Sequence, residues 1–264
     1  MRPKRWHEAM SFIVVIPARY ASTRFPGKPL IDLNGKPMVV RVAERAMQSG
    51  ATRVLVATDD ARIAAACDDG GVAYVMTRND HPSGTDRLSE LVTSLNLPDD
   101  AVVVNVQGDE PLVPANVIDQ VAAILEASPH AAIATICHRI RDMNDVTNPN
   151  VVKCVISEIG EAMYFSRAPI PFARDAWRDG VDLIPDGLPM YRHIGLYAYR
   201  AGFLRRFPQL SIPAMERYEA LEQLRALAHG FRIAVAVVQD ALPPGIDTPE
   251  DYARLKAYYY MLTQ

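Results

Sequence analysis

At 264 residues, with 49% hydrophobic and 22% charged positions, the chain has a globular composition and can bury a large core. Its 28 Lys and Arg against 31 Asp and Glu give a net charge of −3, which excludes the broad basic surface that nucleic acid or an anionic membrane would need. Three scattered cysteines, Cys67, Cys137 and Cys154, form no CxxC pair, so they exclude a disulfide framework and a zinc knuckle and point to reduced thiols in the cytoplasm.

Taken in chain order, residues 1–10 read as a flexible extension, with Met10 an alternative start. The apolar run Phe12–Ile16 is too short for a signal peptide and is followed by Pro17 and Arg19, so it reads as a strand. No apolar run approaches the length of a membrane span, which predicts no membrane insertion. Phe12–Ile16, Val54–Ala57, Val72–Val75 and Val102–Val106 are compact apolar runs of the kind buried on both faces of a parallel sheet. Between them Met38–Ser49, Asp60–Asp69 and Thr85–Ser94 carry apolar residues at helical spacing. This alternation predicts an α/β domain over 11–264, a doubly wound, mostly parallel sheet with right-handed crossovers. Ligands of such sheets bind at the carboxyl ends of the strands.

After Ala131 strands predominate, at Ala132–His138, Val151–Ile156, Ala162–Phe165 and His193–Tyr199. Residues 139–215 therefore read as an inserted, smaller mixed-sheet region for substrate contacts and dimerisation. Within it Pro169–Pro189, rich in Pro and Asp, reads as a long mobile loop. A helix is predicted over Glu216–His229 and a strand over Arg232–Val238. Thr248-Pro249-Glu250-Asp251 then opens the last helix with a cap, a first-turn proline and acids at the positive end.

Three strand-end loops carry chemistry. The first, Pro17 to Leu30, holds Arg19, Arg24 and Lys28 with the hydroxyls of Ser22 and Thr23, a set suited to neutralising a triphosphate. It is no Walker loop, because no glycine stands five residues before Gly27 and Pro29 follows Lys28. The second, Met76 to Arg87, offers Gly84 for close backbone approach, and Ser83 or Thr85 as a helix cap or as part of a base pocket. The third, Asn105 to Pro111, sets Asp109 beside Gly108, where magnesium could take one or two carboxylates with phosphate oxygens and water. Asp247 is a second strand-end acid, and Thr248 already supplies the neighbouring cap. Asp109 and Asp247 are thus predicted to clamp one metal.

Eight ordered blocks, IPARYASTRFPGKPL, MTRNDHPSGTDRL, NVQGDEP, NPNVVK, MYFSRAPIP, RHIGLYAYRAGFL, LEQLR and GIDTPED, resemble the 3-deoxy-manno-octulosonate (KDO) cytidylyltransferases from about Ser11 to Tyr252. The resemblance implies that CTP and KDO give CMP-KDO and pyrophosphate for lipopolysaccharide assembly. It also implies a homodimer built through the inserted sheet. Residue by residue, it implies that Arg19 and Lys28 hold the triphosphate with Ser22 and Arg24 nearby. Thr77, Arg78, Ser83 and Gly84 would receive cytosine and ribose, and Asp109 and Asp247 would bind Mg2+. Gln107, Arg167, His193, Tyr197, Glu222 and Gln223 would form the sugar pocket, with Arg167 the bidentate partner of the sugar carboxylate. Arg19, Lys28, Asp109 and Asp247 are the expected catalytic set. Read without the resemblance, His193 equally suits a satisfied core histidine, and Glu222 and Gln223 a solvated helix face.

Pro82 and Pro169 beside the motifs, and the N-terminal extension, are the departures from the family pattern. A zinc hydrolase is disfavoured by the lack of HExxH, and a serine hydrolase by the lack of GxSxG. The competing readings are transfer to sialic acid or 8-amino-KDO, and a catalytically silent nucleotide-binding protein.

Overall fold

The computed structural model describes residues 11–21, 25–239, 242–243, 245–246 and 248–262. The extension over 1–10 lies outside the described residues. Strand β1 (Phe12–Ala18) pairs in parallel with β2 (Arg53–Thr58) and β4 (Val102–Asn105), and β3 (Tyr74–Met76) joins β2 in parallel. Helices α1 (Met38–Ala46), α2 (Ala61–Asp69) and α3 (Gly84–Ser94) make the crossovers. The alternation of side chains along β1 explains the double winding. Phe12, Val14 and Ile16 enter one core with α1, α2 and α4 (Ala115–Ala127), while Ile13 and Val15 enter another with α3. Each such fully buried aliphatic side chain contributes about 1.5–3 kcal/mol.

Beyond β4 the sheet continues through β8 (Tyr191–Arg200), β5 (Ala131–Arg139) and β9 (Arg232–Val238), in the order β3-β2-β1-β4-β8-β5-β9. Strand β8 runs antiparallel to β4 and β5, whereas β9 is parallel to β5. Because Asn105 at the end of β4 pairs with Tyr197, the preceding residues of β8 overhang the carboxyl edge of the parallel strands. That overhang leaves His193 paired with Cys137 of β5 and bonded through its backbone N–H to Val152 O.

Within 139–215, β6 (Lys153–Ile156) and β7 (Ala162–Ser166) form a hairpin that pairs with β8 at Tyr191 and Arg192. Ile140, Val146, Val151, Trp177 and Met190 make a small core of their own here. Pro169–Pro189 contains no helix or strand, as its composition predicts, yet Trp177 is 2% exposed and donates its indole N–H to Leu183 O at 2.7 Å. The stretch is thus a pinned loop.

Helix α4 has no counterpart among the predicted elements, nor do the short α5 (Met143–Thr147) and α6 (Ala201–Arg206). The helix predicted over Glu216–His229 is in fact two, α7 (Ala214–Glu219) and α8 (Gln223–Ala228). Between them Ala220 takes a left-handed conformation, φ 51°, which costs a non-glycine residue about 1–2 kcal/mol. The break is held by a buried ion pair between the two helices, with Arg225 Nε 2.8 Å from Glu216 Oε2 and both residues 7% exposed. The Arg225 guanidinium also stacks 4.3 Å over the Phe207 ring. Removing one partner of such a pair leaves a buried charge uncompensated. Glu216→Ala is therefore expected to lower stability by about 3–5 kcal/mol in urea unfolding.

Candidate active site

Two adjoining cavities lie at the carboxyl edge of the parallel strands. The larger, about 460 Å³, is lined by the loops after β1 and β4, with Arg19, Lys28, Gln107, Gly108 and Asp109 among its walls. The first loop folds back on itself through Gly27, whose φ of 72° favours glycine and whose N–H donates to Tyr20 O at 3.1 Å. That turn presents Lys28. In the second loop, a Cβ on Gly108 would sit 3.0 Å from Pro17 O, so a glycine lets the two loops approach closely. Lys28 Nζ then reaches Asp109 Oδ2 at 2.6 Å, with the two side chains 12% and 32% exposed. Arg19 is exposed, and its Nη1 lies 3.4 Å from His81 O in the loop after β3.

The C-terminal segment docks on the same place. Ile246 N–H donates to Asp109 O at 2.9 Å, and a Cβ on Gly245 would come within 3.1 Å of that oxygen. Asp247, the next residue, lies outside the described residues, as do Ser22 and Arg24.

The smaller cavity, about 270 Å³, is lined by Gly84, Thr85, Gln107, Tyr197, Glu222 and Gln223, among others. Gln107 lines both cavities, so it stands at their junction. The break at Ala220 turns Glu222 and Gln223 into this wall, and Thr85 Oγ1 donates to Glu222 Oε2 at 2.9 Å. Although Glu222 is exposed as a residue, surrounding protein withdraws water from its carboxyl group and raises its pKa, against the pull of Thr85, Arg225 and Ser83. Tyr197 is raised well above the ordinary phenol value by burial and by anionic neighbours.

His193 sits beside Tyr197, ring centroids 5.2 Å apart, and edge-on to Phe165 at 5.0 Å. The side chain keeps some exposure, but the packing around the ring lowers its pKa to about 3. With rings on two sides and no acid bonded to it, His193 is held neutral.

The structure does not bring every predicted residue to these walls, and His193 lines neither cavity but packs behind Tyr197. Gly84 lines the smaller cavity, but the Thr77 hydroxyl turns inward, donating to Thr58 O at 3.1 Å and receiving Arg87 Nη1. Arg78 lies in solvent, bidentate to Asp80 at 2.8 Å through both Nε and Nη2. Ser83 caps α3, accepting from Asp86 N–H at 3.2 Å and donating to Asp86 Oδ2 at 2.6 Å. Arg167 lines neither cavity. Its Nε donates to Glu219 O at 2.6 Å and its Nη1 to Pro149 O at 2.8 Å, while Nη2 stands 3.5 Å from O of Ala220, itself a wall residue.

Three residues that support the site went unpredicted. Arg87, wholly buried, braces Thr77 and lies 3.1 Å from Asp59 Oδ2. Lys153, also wholly buried, donates to the carbonyls of Asn148 (3.0 Å), Val151 (2.7 Å) and Arg167 (2.6 Å). Glu219 accepts from Ser166 Oγ at 2.6 Å and Arg167 N–H at 2.9 Å. The signals were present as Arg87 within an otherwise apolar helix face and Lys153 opening a buried strand.

A profile of the cytidylyltransferases matches residues 13–233, and the chain belongs to that family. A curated relative from Herminiimonas arsenicoxydans, named 3-deoxy-manno-octulosonate cytidylyltransferase, is 56% identical over 250 residues, which are 95% of this chain and 99% of the relative. Among solved structures, a CMP:2-keto-3-deoxy-manno-octonic acid synthetase complexed with CTP superposes with a TM-score of 0.86 at 40% identity, covering 96% of this chain and 99% of its own. A cytidylyltransferase from Leptospira borgpetersenii serovar Hardjo-bovis shares the fold, with a TM-score of 0.57 at 16% identity over 96% of this chain and 92% of its own. The α/β class and mostly parallel sheet expected from the sequence agree with these likenesses. Among the described residues no helix is long and apolar enough to cross a membrane.

The neutral His193 has a consequence for stability. Its folded pKa of about 3 lies below the ordinary 6.5, so between those values the unfolded chain binds a proton that the folded ring refuses. Its contribution is fully present above pH 6.5 and is lost as pH falls towards 3, at no more than about 1.4 kcal/mol per pH unit. Urea unfolding at pH 7 and pH 5 is expected to show a smaller acid loss in His193→Gln than in the wild type.

Proposed function

We infer that the chain is a KDO cytidylyltransferase, converting CTP and KDO into CMP-KDO and pyrophosphate and so activating KDO for lipopolysaccharide biosynthesis. The observation that carries the reading is the pair of cavities meeting at Gln107, one cationic with a carboxylate, the other walled by aromatic, amide and carboxyl groups. Such a pair can hold a triphosphate and a sugar acid with their reacting atoms at the boundary. The relatives' names supply the identity of the two substrates.

Arg19 and Lys28 hold the triphosphate, and their charges compensate the phosphate oxygens as the bond to the leaving pyrophosphate lengthens. Ser22 and Arg24 belong to the same loop and are assigned the same ligand. The loop after β3, Thr77 to Gly84, takes the cytosine and ribose through its backbone and Gly84, with the Thr77, Arg78 and Ser83 side chains engaged elsewhere. The capped turn and inward-facing Thr77 leave backbone groups, Gly84 foremost, to meet the base. Gln107 orients the sugar's anomeric hydroxyl towards the α-phosphorus, and Tyr197, His193, Glu222 and Gln223 grip its other groups. Arg167 uses three of its five N–H groups on the carbonyls of Glu219, Pro149 and Ala220, and its remaining Nη hydrogens are assigned to the sugar carboxylate. Attack is in line at the α-phosphorus, with positioning and charge compensation the main contributions of the protein.

Asp109 is the one carboxylate among the described walls of the larger cavity, and a single hard oxygen donor amid space for phosphate and water suits magnesium. Asp109 and Asp247 are assigned to hold it, Asp247 because Gly245 and Ile246 rest on the Asp109 carbonyl. When bound, the ion supplies charge neutralisation of the phosphates and acidifies oxygens in contact with it. The enzyme is assigned to the cytoplasm, and the exposed apolar residues Ile159, Met163, Phe172 and Leu183 support a homodimer through 139–215.

Incubation with CTP, magnesium and KDO should release pyrophosphate, whereas release only with sialic acid or 8-amino-KDO would reassign the acceptor. Asp109→Ala should lower kcat by about a hundred- to a thousandfold with an unchanged circular dichroism spectrum. Unaltered turnover would remove Asp109 from the mechanism. Separately, Met163→Glu combined with Phe172→Glu should convert a dimer to monomer in sedimentation velocity.

A further inference from the structure

Thr135 lies on β5 beneath His193 and is wholly buried. The pairing of β5 with β8 is irregular at this point, stepping from Thr135 opposite Tyr197 to Ile136 opposite Ile194. At that step the Thr135 hydroxyl meets three groups: Leu196 O at 2.8 Å, Ile194 O at 3.2 Å and His193 Nε2 at 3.0 Å.

A hydroxyl has one proton to give and can accept in return. The two carbonyls can only accept, and the nearer, Leu196 O at 2.8 Å, takes the threonine proton. Oγ1 therefore faces Nε2 with a lone pair, and Nε2 must carry the hydrogen. A ring held neutral by its apolar surroundings has one N–H alone, which leaves Nδ1 bare, and Nδ1 makes no hydrogen bond among the described residues. Such an edge attracts an O–H and repels a carboxylate.

We propose that Thr135 is a positioning residue that fixes His193 as the Nε2–H tautomer, so that Nδ1, on a ring packed beside the cavity-wall Tyr197, accepts a hydrogen bond from a hydroxyl of the sugar acid. The proposal rests on the assignment of the smaller cavity to that substrate. It divides the recognition of a polyhydroxy acid into two chemistries: cations for the carboxylate, an acceptor ring edge for a hydroxyl. The hydroxyl at position 135 acts through the ring and touches no substrate.

The test pairs spectroscopy with kinetics on the full chain. Two-bond 1H–15N spectra of the histidine-labelled protein should show His193 protonated at Nε2 and bare at Nδ1, and Thr135→Ser should keep that pattern. Thr135→Val should lose it, raising KM for KDO about three- to tenfold while leaving kcat and KM for CTP unchanged. A proton on Nδ1 in the wild type, or a wild-type KM for KDO in Thr135→Val, overturns the proposal. Should Thr135→Val fail to fold, the wild-type spectrum and Thr135→Ser still decide it. A wild type that turns over no KDO would sink the substrate assignment instead, and the spectrum alone would then decide whether Thr135 sets the ring.

Discussion

Lys28 and Asp109 stand 81 residues apart in the chain, yet their charges meet at 2.6 Å. They meet because β1 and β4 are parallel neighbours, which forces the loops after both strands to the same edge of the sheet. Gly108 lets those loops touch, and Ile246 brings the C-terminal segment onto the Asp109 backbone. Three distant pieces of sequence are thereby fastened around one cavity. The pair is partly buried at the cavity wall, and it arranges opposite charges where a phosphorylated ligand can use them.

The second cavity depends on different physics. Strand β8 runs against β4, which sets Tyr197 and Tyr199 in the cavity wall beside Asn105. The Ala220 break, held by the Glu216–Arg225 pair, turns Glu222 and Gln223 inward. Behind that wall, buried Lys153 binds Arg167's carbonyl, and Arg167 in turn binds the carbonyl of Glu219. The NPNVVK and MYFSRAPIP motifs are thus joined, by side-chain hydrogen bonds to backbone carbonyls, to the turn that precedes LEQLR. A buried ammonium surrounded by three carbonyls is costly to remove and fixes its partners firmly.

The first half of the fold was legible in sequence because strands buried on both faces read as apolar runs and amphipathic helices show their period. The break at Ala220 was not, since alanine carries no turn signal. Lys28 and Asp109, singled out by loop chemistry, and Gln107, Tyr197, Glu222 and Gln223, implied only by the family resemblance, line the two cavities. Arg78 and Ser83 are taken up by a neighbouring acid and by a helix cap, partners that lie two and three residues away and compete with any ligand. The carbonyl partners of Arg167 and the ring contact of Thr135 depend on strand register, which no spacing along the chain encodes.

The proposed chemistry requires a triphosphate and its metal in the cavity between Lys28, Arg19 and Asp109. A crystal structure with CTP and Mn2+, using anomalous scattering to find the ion, tests this most directly. The account predicts manganese coordinated by the Asp109 carboxylate, with phosphates against Arg19 and Lys28 and the α-phosphate towards Gln107. Manganese and phosphates bound away from Asp109 would contradict it.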